Sequence, residues 1–273
     1  PCGRTDFSQA GVNTLNTLLP NTRMYFNGGG YTAGEEGGGS TPLRLNNGQS
    51  VHSRTTDYSA PATGTERSTF GGAFTLTGNN VLENIILIPF ITGRPNMGVA
   101  VVGPNNQIQG SEIGSARMRY TYGVENYGIN TRIDATSIFA FQMGIAATNS
   151  NVTLRNSVLN VEAQGGGNGI SAVGSNISVI DSVIWLTGTG AFPYEGVRND
   201  RKGSVAIIRS SIDVVLENSN GNAVALYNSN GSSMTVLDSS LSVEGAHVAI
   251  ARGAVTVNDG TTCRVNGAIT ACA

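Results

Sequence analysis

Between residues 82 and 262 the chain repeats one six-residue pattern about every 25 residues. An aliphatic residue and any residue are followed by Asn or Asp, Ser or Thr (or substitutes), any residue, and Ile or Leu. The clearest copies are LRNSVL at Leu154–Leu159, VIDSVI at Val179–Ile184, IIRSSI at Ile207–Ile212 and VLDSSL at Val236–Leu241. Weaker copies begin at Leu82, Ile108, Ile133 and Val257, so the first positions are 26, 25, 21, 25, 28, 29 and 21 residues apart. A fixed period of this length is the mark of a stacked repeat, in which no single unit buries its own apolar face and neighbours must do so for one another.

Within a period the spacing is that of strands. In the stretch 150–174, Val152 and Leu154 alternate with Thr153 and Arg155, Asn156 and Ser157 interrupt, and Leu159 and Val161 resume the alternation. Period two places successive side chains on opposite faces of a strand. Asn and Asp tolerate the left-handed backbone, so the interruption reads as a sharp corner. A Gly-rich turn then leads to a third strand that begins at Gly169, with Ile170 and Ala172 inward.

Three inward columns follow. The first is Leu82, Ile108, Ile133, Leu154, Val179, Ile207, Val236 and Val257; the second is Leu87, Ile113, Ile138, Leu159, Ile184, Ile212 and Leu241. The third is expected at Val99, Val124, Ile145, Ile170, Val197, Val224, Val248 and Ile269. Each buried aliphatic side chain contributes about 1.5 to 3 kcal/mol, so stacking supplies a core that one coil cannot. The corner hydroxyls Ser111, Thr136, Ser157, Ser182, Ser210 and Ser239 are expected to form a structural ladder with partners in the next coil.

The predicted fold is therefore all-β, a single-stranded right-handed parallel β-helix of about eight coils and three sheets with an N-terminal capping segment. Residues 1–41 are expected to be a cap and lead-in, and 42–273 the β-helix. Val12, Leu15, Leu18 and Leu19 recur at helical spacing before Pro20, which suggests a helical lid over Ser8–Leu19 that covers an unpaired strand edge. No signal peptide is visible, so the chain reads as mature or as a cut fragment.

Composition removes several function classes. Net charge is −2, with a single lysine, Lys202, among 16 basic residues, which argues against a nucleic-acid partner because phosphate neutralisation needs clustered cations. No apolar run reaches a membrane span. The three cysteines and the two histidines, His52 and His247, lack metal-ligand spacing, and no cofactor is expected. Cys263 and Cys272 are placed either to pair, as an oxidising compartment permits, or to remain buried thiols.

The repeat resembles the pectin-lyase-like right-handed β-helix superfamily over about residues 74–273. The stretch Pro42–Leu87 resembles the start of β-helix regions in bacterial surface proteins, including passengers of inverse autotransporters. The likeness rests on Leu43, Leu45, Gly48, Gln49, Ser50, Tyr58, Gly78, Asn79, Asn80, Leu82 and Ile85. It implies an extracellular or bacterial cell-surface location. In the superfamily's polysaccharide lyases and glycoside hydrolases, the outer face of the strand after the Gly-rich turn carries carboxylates that bind calcium and substrate, with Arg or Lys as base, or paired Asp for acid and base work.

In this chain that face is expected to carry little chemistry. Its outward positions read Ala100, Glu125, Ala146, Ser171, Arg198, Ala225 and Ala249, with Asp200 in the next file. Glu125 and Asp200 fall about three coils, or roughly 14 Å, apart, too far for one two-carboxylate centre. Asp181, Asp238 and Asp259 occupy the corner and are expected to serve the turn, and His52 has no evident nucleophile beside it. Aromatics are the other outward feature: Phe139, Phe141 and Trp185 near Ile86 and Ile88, and a long inserted loop, Thr187–Gly203, bearing Phe192, Tyr194, Glu195, Arg198, Asp200 and Arg201. Such aromatic faces beside hydrogen-bonding groups suit sugar rings or protein contacts; the alternative is that the N-terminal forty residues or this loop packs over the stripe.

Two functions follow as expectations. One is a secreted or cell-surface, non-catalytic, adhesin-like scaffold or binding module. Its ligand would be a host-cell or matrix glycan or surface protein, held by Trp185, Phe192, Tyr194, Arg198 and Arg201. The other is a polysaccharide lyase or glycoside hydrolase using Glu125, Arg198, Asp200 and Arg201, with calcium as cofactor only in the lyase case.

Overall fold

The computed structural model describes residues 17–32, 42–89, 97–217 and 220–272. Among the described residues nine coils contribute to each of three parallel ladders and a tenth, partial coil adds to the first two, which makes a β-solenoid of about nine turns where the corner motif counted eight. The first sheet has ten strands, from Arg23–Asn27 to Thr256–Val257. The second runs from Gly29–Thr32 to Thr262–Val265, and the third from Leu43–Leu45 to His247–Arg252. A twelve-residue strand, Ser137–Thr148, bends from the second ladder into the third.

Registers repeat the first two columns residue for residue. Leu82 pairs with Ile108, and the file continues in order to Val257. It also extends backward through Val51 to Met24. The second column gains Tyr31 and Phe70 at one end and Cys263 at the other. The stretch Arg23–Thr32, expected as lead-in, is thus itself part of the first coil. Of the expected helical lid, residues 8–16 lie outside the described residues. Its last positions are a turn whose Leu18 carbonyl accepts hydrogen bonds from Gln49 Nε2 at 2.9 Å and Asn46 Nδ2 at 3.2 Å.

The corner takes the left-handed backbone at Asn84, Ala135, Asn156, Asp181, Arg209 and Asp238, with φ between 47° and 57°, and Gly110 fills the same place at 60°. Just beyond it the hydroxyl ladder forms. Each hydroxyl donates to a carbonyl two residues back in its own coil, as Ser157 does to Arg155 at 2.6 Å and Ser239 to Leu237 at 2.7 Å. Each also accepts an amide from the preceding coil: Thr136 N–H to Ser157 at 3.1 Å, Ser157 N–H to Ser182 at 3.2 Å, and Ser210 N–H to Ser239 at 3.1 Å. Buried backbone donors at a corner that no strand partner reaches are satisfied in this way.

The third column holds from Val99 to Val197 and then departs from expectation. Val197 pairs with Leu226, and Leu226 with Ala251, whereas Val224 lies opposite Glu195 and Val248 opposite Ala223. Ile269 lies on Ala268–Thr270, which folds back antiparallel on Thr262–Val265 and leaves it 74% exposed. Four successive residues, Ala223–Leu226, are buried, so alternation carries no phase there. Up to Val197 a file of glycines lies just ahead of the inward residues, and it ends where Ala225 takes the place of Gly196. A Cβ on Gly98, Gly123, Gly144, Gly169 or Gly196 would lie 2.1 to 2.8 Å from the second-column side chains Ile113, Ile138, Leu159, Ile184 and Ile212. In these five coils the absence of a side chain lets the third strand pass close to the second column.

Candidate functional site

The expected inserted loop is mostly a strand. Pro193–Asp200 belongs to the third sheet, in register with Gly167–Val173 on one side and Asn222–Asn228 on the other. Tyr194 consequently points into the core: it is fully buried, its hydroxyl donates to the Thr189 carbonyl at 2.5 Å, and a Cβ on Gly188 would lie 2.5 Å from its ring. It is not available to a ligand, which corrects its expected role. Phe192 is 54% exposed, and Arg201 occupies an exposed turn with φ 57°.

On the outer face of this strand, Arg198 joins two carboxylates. Its Nη1 lies 3.2 Å from Glu195 and its Nε 2.6 Å from Asp200, and the guanidinium stands 4.9 Å from the centre of the Tyr227 ring. Glu195 is 5% exposed, and once the Asn168 amide is assigned with its nitrogen toward this carboxylate, the orientation that gives both ends of the amide a partner, it donates to Glu195 at 3.2 Å. Burial raises the Glu195 pKa above the ordinary glutamate value, although Arg198 acts in the opposite direction. Glu125 stays apart. It pairs through Ala146 and Ser171 to reach Arg198, three rungs or roughly 14 Å away, and it accepts a hydrogen bond from the Tyr127 hydroxyl at 2.5 Å. The residues expected for catalysis therefore divide: Arg198 and Asp200 meet, Glu125 stays apart, and Glu195, expected only as a residue of the inserted loop, is the second carboxylate on Arg198. Among the described residues no group of three or more His, Cys, Asp or Glu side chains is placed to hold a metal ion.

The aromatic stripe on the second sheet also divides. Arg119, 7% exposed, lies 5.6 Å from the Phe139 ring centre and is held by Glu162 at 2.5 Å and by Asn160 Oδ1 at 2.9 Å. Among the described residues this arginine covers Phe139, and most of the N-terminal segment expected there lies outside the described residues. Trp185 is 51% exposed, and in register it has Asn160 one rung before and Asp213 one rung after. Val158, Val183 and Phe141 are also exposed on that face, between 38% and 41%.

At the corner, Asp181 is bound by Arg209 of the following coil at 2.7 Å, and Asp238 accepts from Asn258 Nδ2 at 2.8 Å, both consistent with a turn role. His52 departs from expectation, because its imidazole contacts both Ser50 and Glu83.

No protein-family model matches the chain, and no curated protein sequence does. Several solved structures resemble it in fold. One is the catalytic unit of a thermostable GH87 alpha-1,3-glucanase from Streptomyces thermodiastaticus (12% identity, TM-score 0.35, covering 100% of this chain and 71% of that one). Another is the A-module of the Azotobacter vinelandii mannuronan C-5 epimerase AlgE6 (13% identity, TM-score 0.34, 94% of each chain). A third is the pectate lyase Pel9A (13% identity, TM-score 0.36, 89% of this chain and 72% of that one). No site residue is carried over from them.

Proposed function

We propose that this β-helix is a secreted or cell-surface glycan-binding module whose ligand lies along the outer face of the second sheet at Trp185. The observation that carries the reading is the half-exposed indole, set between an amide and a carboxylate one rung to either side. A sugar ring stacks its C–H face on an indole while neighbouring polar groups take its hydroxyls. The Cys263–Cys272 disulfide supports an oxidising, extracytoplasmic location. Array binding followed by calorimetry on the best glycan tests this. Trp185→Ala should lower affinity at least about tenfold, the order of a 1.4 kcal/mol contact, with an unchanged circular dichroism spectrum. Failure of the wild type to bind any glycan, or equal binding by the variant, rejects the reading.

A second reading, turnover of a polysaccharide at the third sheet, is favoured by one observation, the buried carboxyl of Glu195 beside Asp200 with its pKa raised. Both carboxylates are already engaged by one arginine, which is why it ranks second. Glycan cleavage that disappears in Glu195→Gln would put it first.

A further inference from the structure

The chemistry left unused by either reading lies on the outer face of the first sheet, in coils two and three. Ser50 and His52 are two residues apart on one strand, Ser50–Arg54, so alternation turns both outward. Glu83 comes from the next coil, 31 residues on, and is the in-register partner of His52. The imidazole bridges them: Nδ1 lies 2.5 Å from Glu83 Oε2, and Nε2 lies 2.7 Å from Ser50 Oγ. Glu83 is itself held, its Oε1 by Gln109 Nε2 at 2.9 Å and its Oε2 by Arg54 at 3.4 Å. The Tyr25 ring stacks on the imidazole at 5.2 Å and limits its rotation.

These partners assign the tautomer. A carboxylate only accepts, so Nδ1 must donate to Glu83. In the neutral ring Nε2 is then the acceptor, and the Ser50 hydroxyl donates to it. Burial alone would raise the Glu83 pKa, but hydrogen bonding and charge from His52, with Gln109 and Arg54, bring it below the ordinary value, so the carboxylate stays ionised. The same two outward positions read Gln107 and Gln109 in coil four and Arg132 and Asp134 in coil five, so the constellation is confined to one place on the rod.

We propose that Ser50, His52 and Glu83 form a serine-hydrolase centre that cleaves short-chain carboxylic esters, with Ser50 as nucleophile, His52 as general base and acid, and Glu83 as the positioning residue. Ser50 Oγ bonds to the ester carbonyl carbon as its proton passes to His52 Nε2. The carbonyl carbon then releases the alkoxide, which takes that proton and leaves as the alcohol. Water attacks the acyl-Ser50, gives a proton to Nε2, and the acid departs as the proton returns to Ser50 Oγ. The sum is ester plus water to acid plus alcohol. Arg23, exposed and in register with Ser50 on the same face, supplies the cation for the oxyanion. Ser50 is 5% exposed, so the acyl group is small, of acetyl size. This centre is on a different sheet from Trp185 and does not depend on glycan binding there.

The test uses the full chain with methanesulfonyl fluoride, whose transferred group is about the size of acetyl, and with p-nitrophenyl acetate. Peptide mass spectrometry should place a methanesulfonyl adduct on Ser50, and ester turnover should fall about 10²-fold or more in Ser50→Ala and His52→Gln. Glu83→Gln should lower kcat with KM unchanged, as expected of a group that orients the base without touching substrate. Absence of an adduct on Ser50 in the wild type overturns the proposal whatever the variants do. So does ester hydrolysis that Ser50→Ala leaves intact in a protein with wild-type circular dichroism.

Discussion

The backbone amide of Ser182 donates to the hydroxyl of Ser210, 3.1 Å away in the next coil. The Ser182 hydroxyl in turn accepts the Ser157 amide at 3.2 Å. Ser182→Ala would leave the Ser157 N–H buried without a partner, at a cost of about 1 to 3 kcal/mol. Urea unfolding followed by the fluorescence of Trp185, the only tryptophan, should show the lower midpoint. Ligand binding per folded molecule should not change.

Gly169→Ala should also destabilise, for a steric reason. The added methyl would lie 2.3 Å from Ile184 Cγ2 and 2.5 Å from the Gly196 carbonyl, and overpacking of this kind costs about 1 to 3 kcal/mol. Gly165→Ala in the same coil meets nothing within 4 Å and should stay within about 0.5 kcal/mol of wild type. Equal melting temperatures for the two variants would contradict the role given to the glycine file.

Cys263 closes the second column, and its bond to Cys272 ties the antiparallel return to the last rung across a separation of nine residues. Loop-closure entropy for a ring of that size is worth about 2 to 3 kcal/mol. Because solenoid stability is local, Cys272→Ser should speed amide exchange in Thr262–Val265 and leave Val183–Gly188 protected.

Glu195 should make stability depend on pH. Its folded pKa is raised by burial, so its contribution is fully present below the usual glutamate value of 4.5 and is lost as pH rises through the folded pKa. Glu195→Gln removes this loss, so the melting temperature of the variant relative to wild type should climb as pH increases above about 4.5. A difference that stays constant across that window would mean that the carboxyl is not desolvated as described.

Trp185 and Tyr194 show how far local pattern reaches. Trp185 follows the second-column residue Ile184 by one step, and simple alternation correctly turned it outward. Tyr194 follows the turn at Gly190, and inward residues then fall at 194 and 197, three apart across Gly196, so alternation read from sequence had no phase to follow. Val224 was misplaced for the same reason, because glycine and alanine carry no polarity by which a face can be told.

The recurring corner and its flanking aliphatics determined, unaided, that this chain would coil into a parallel β-helix and which residues would fill its first two columns. That information is local: each period states its own inside and outside. Only the tertiary structure decided that Glu195 shares Arg198 with Asp200, or that Glu83 arrives beside His52 and Ser50. Both meetings depend on register between neighbouring strands, and turns of unequal length displace that register by amounts that the hydrogen-bonded ladders set.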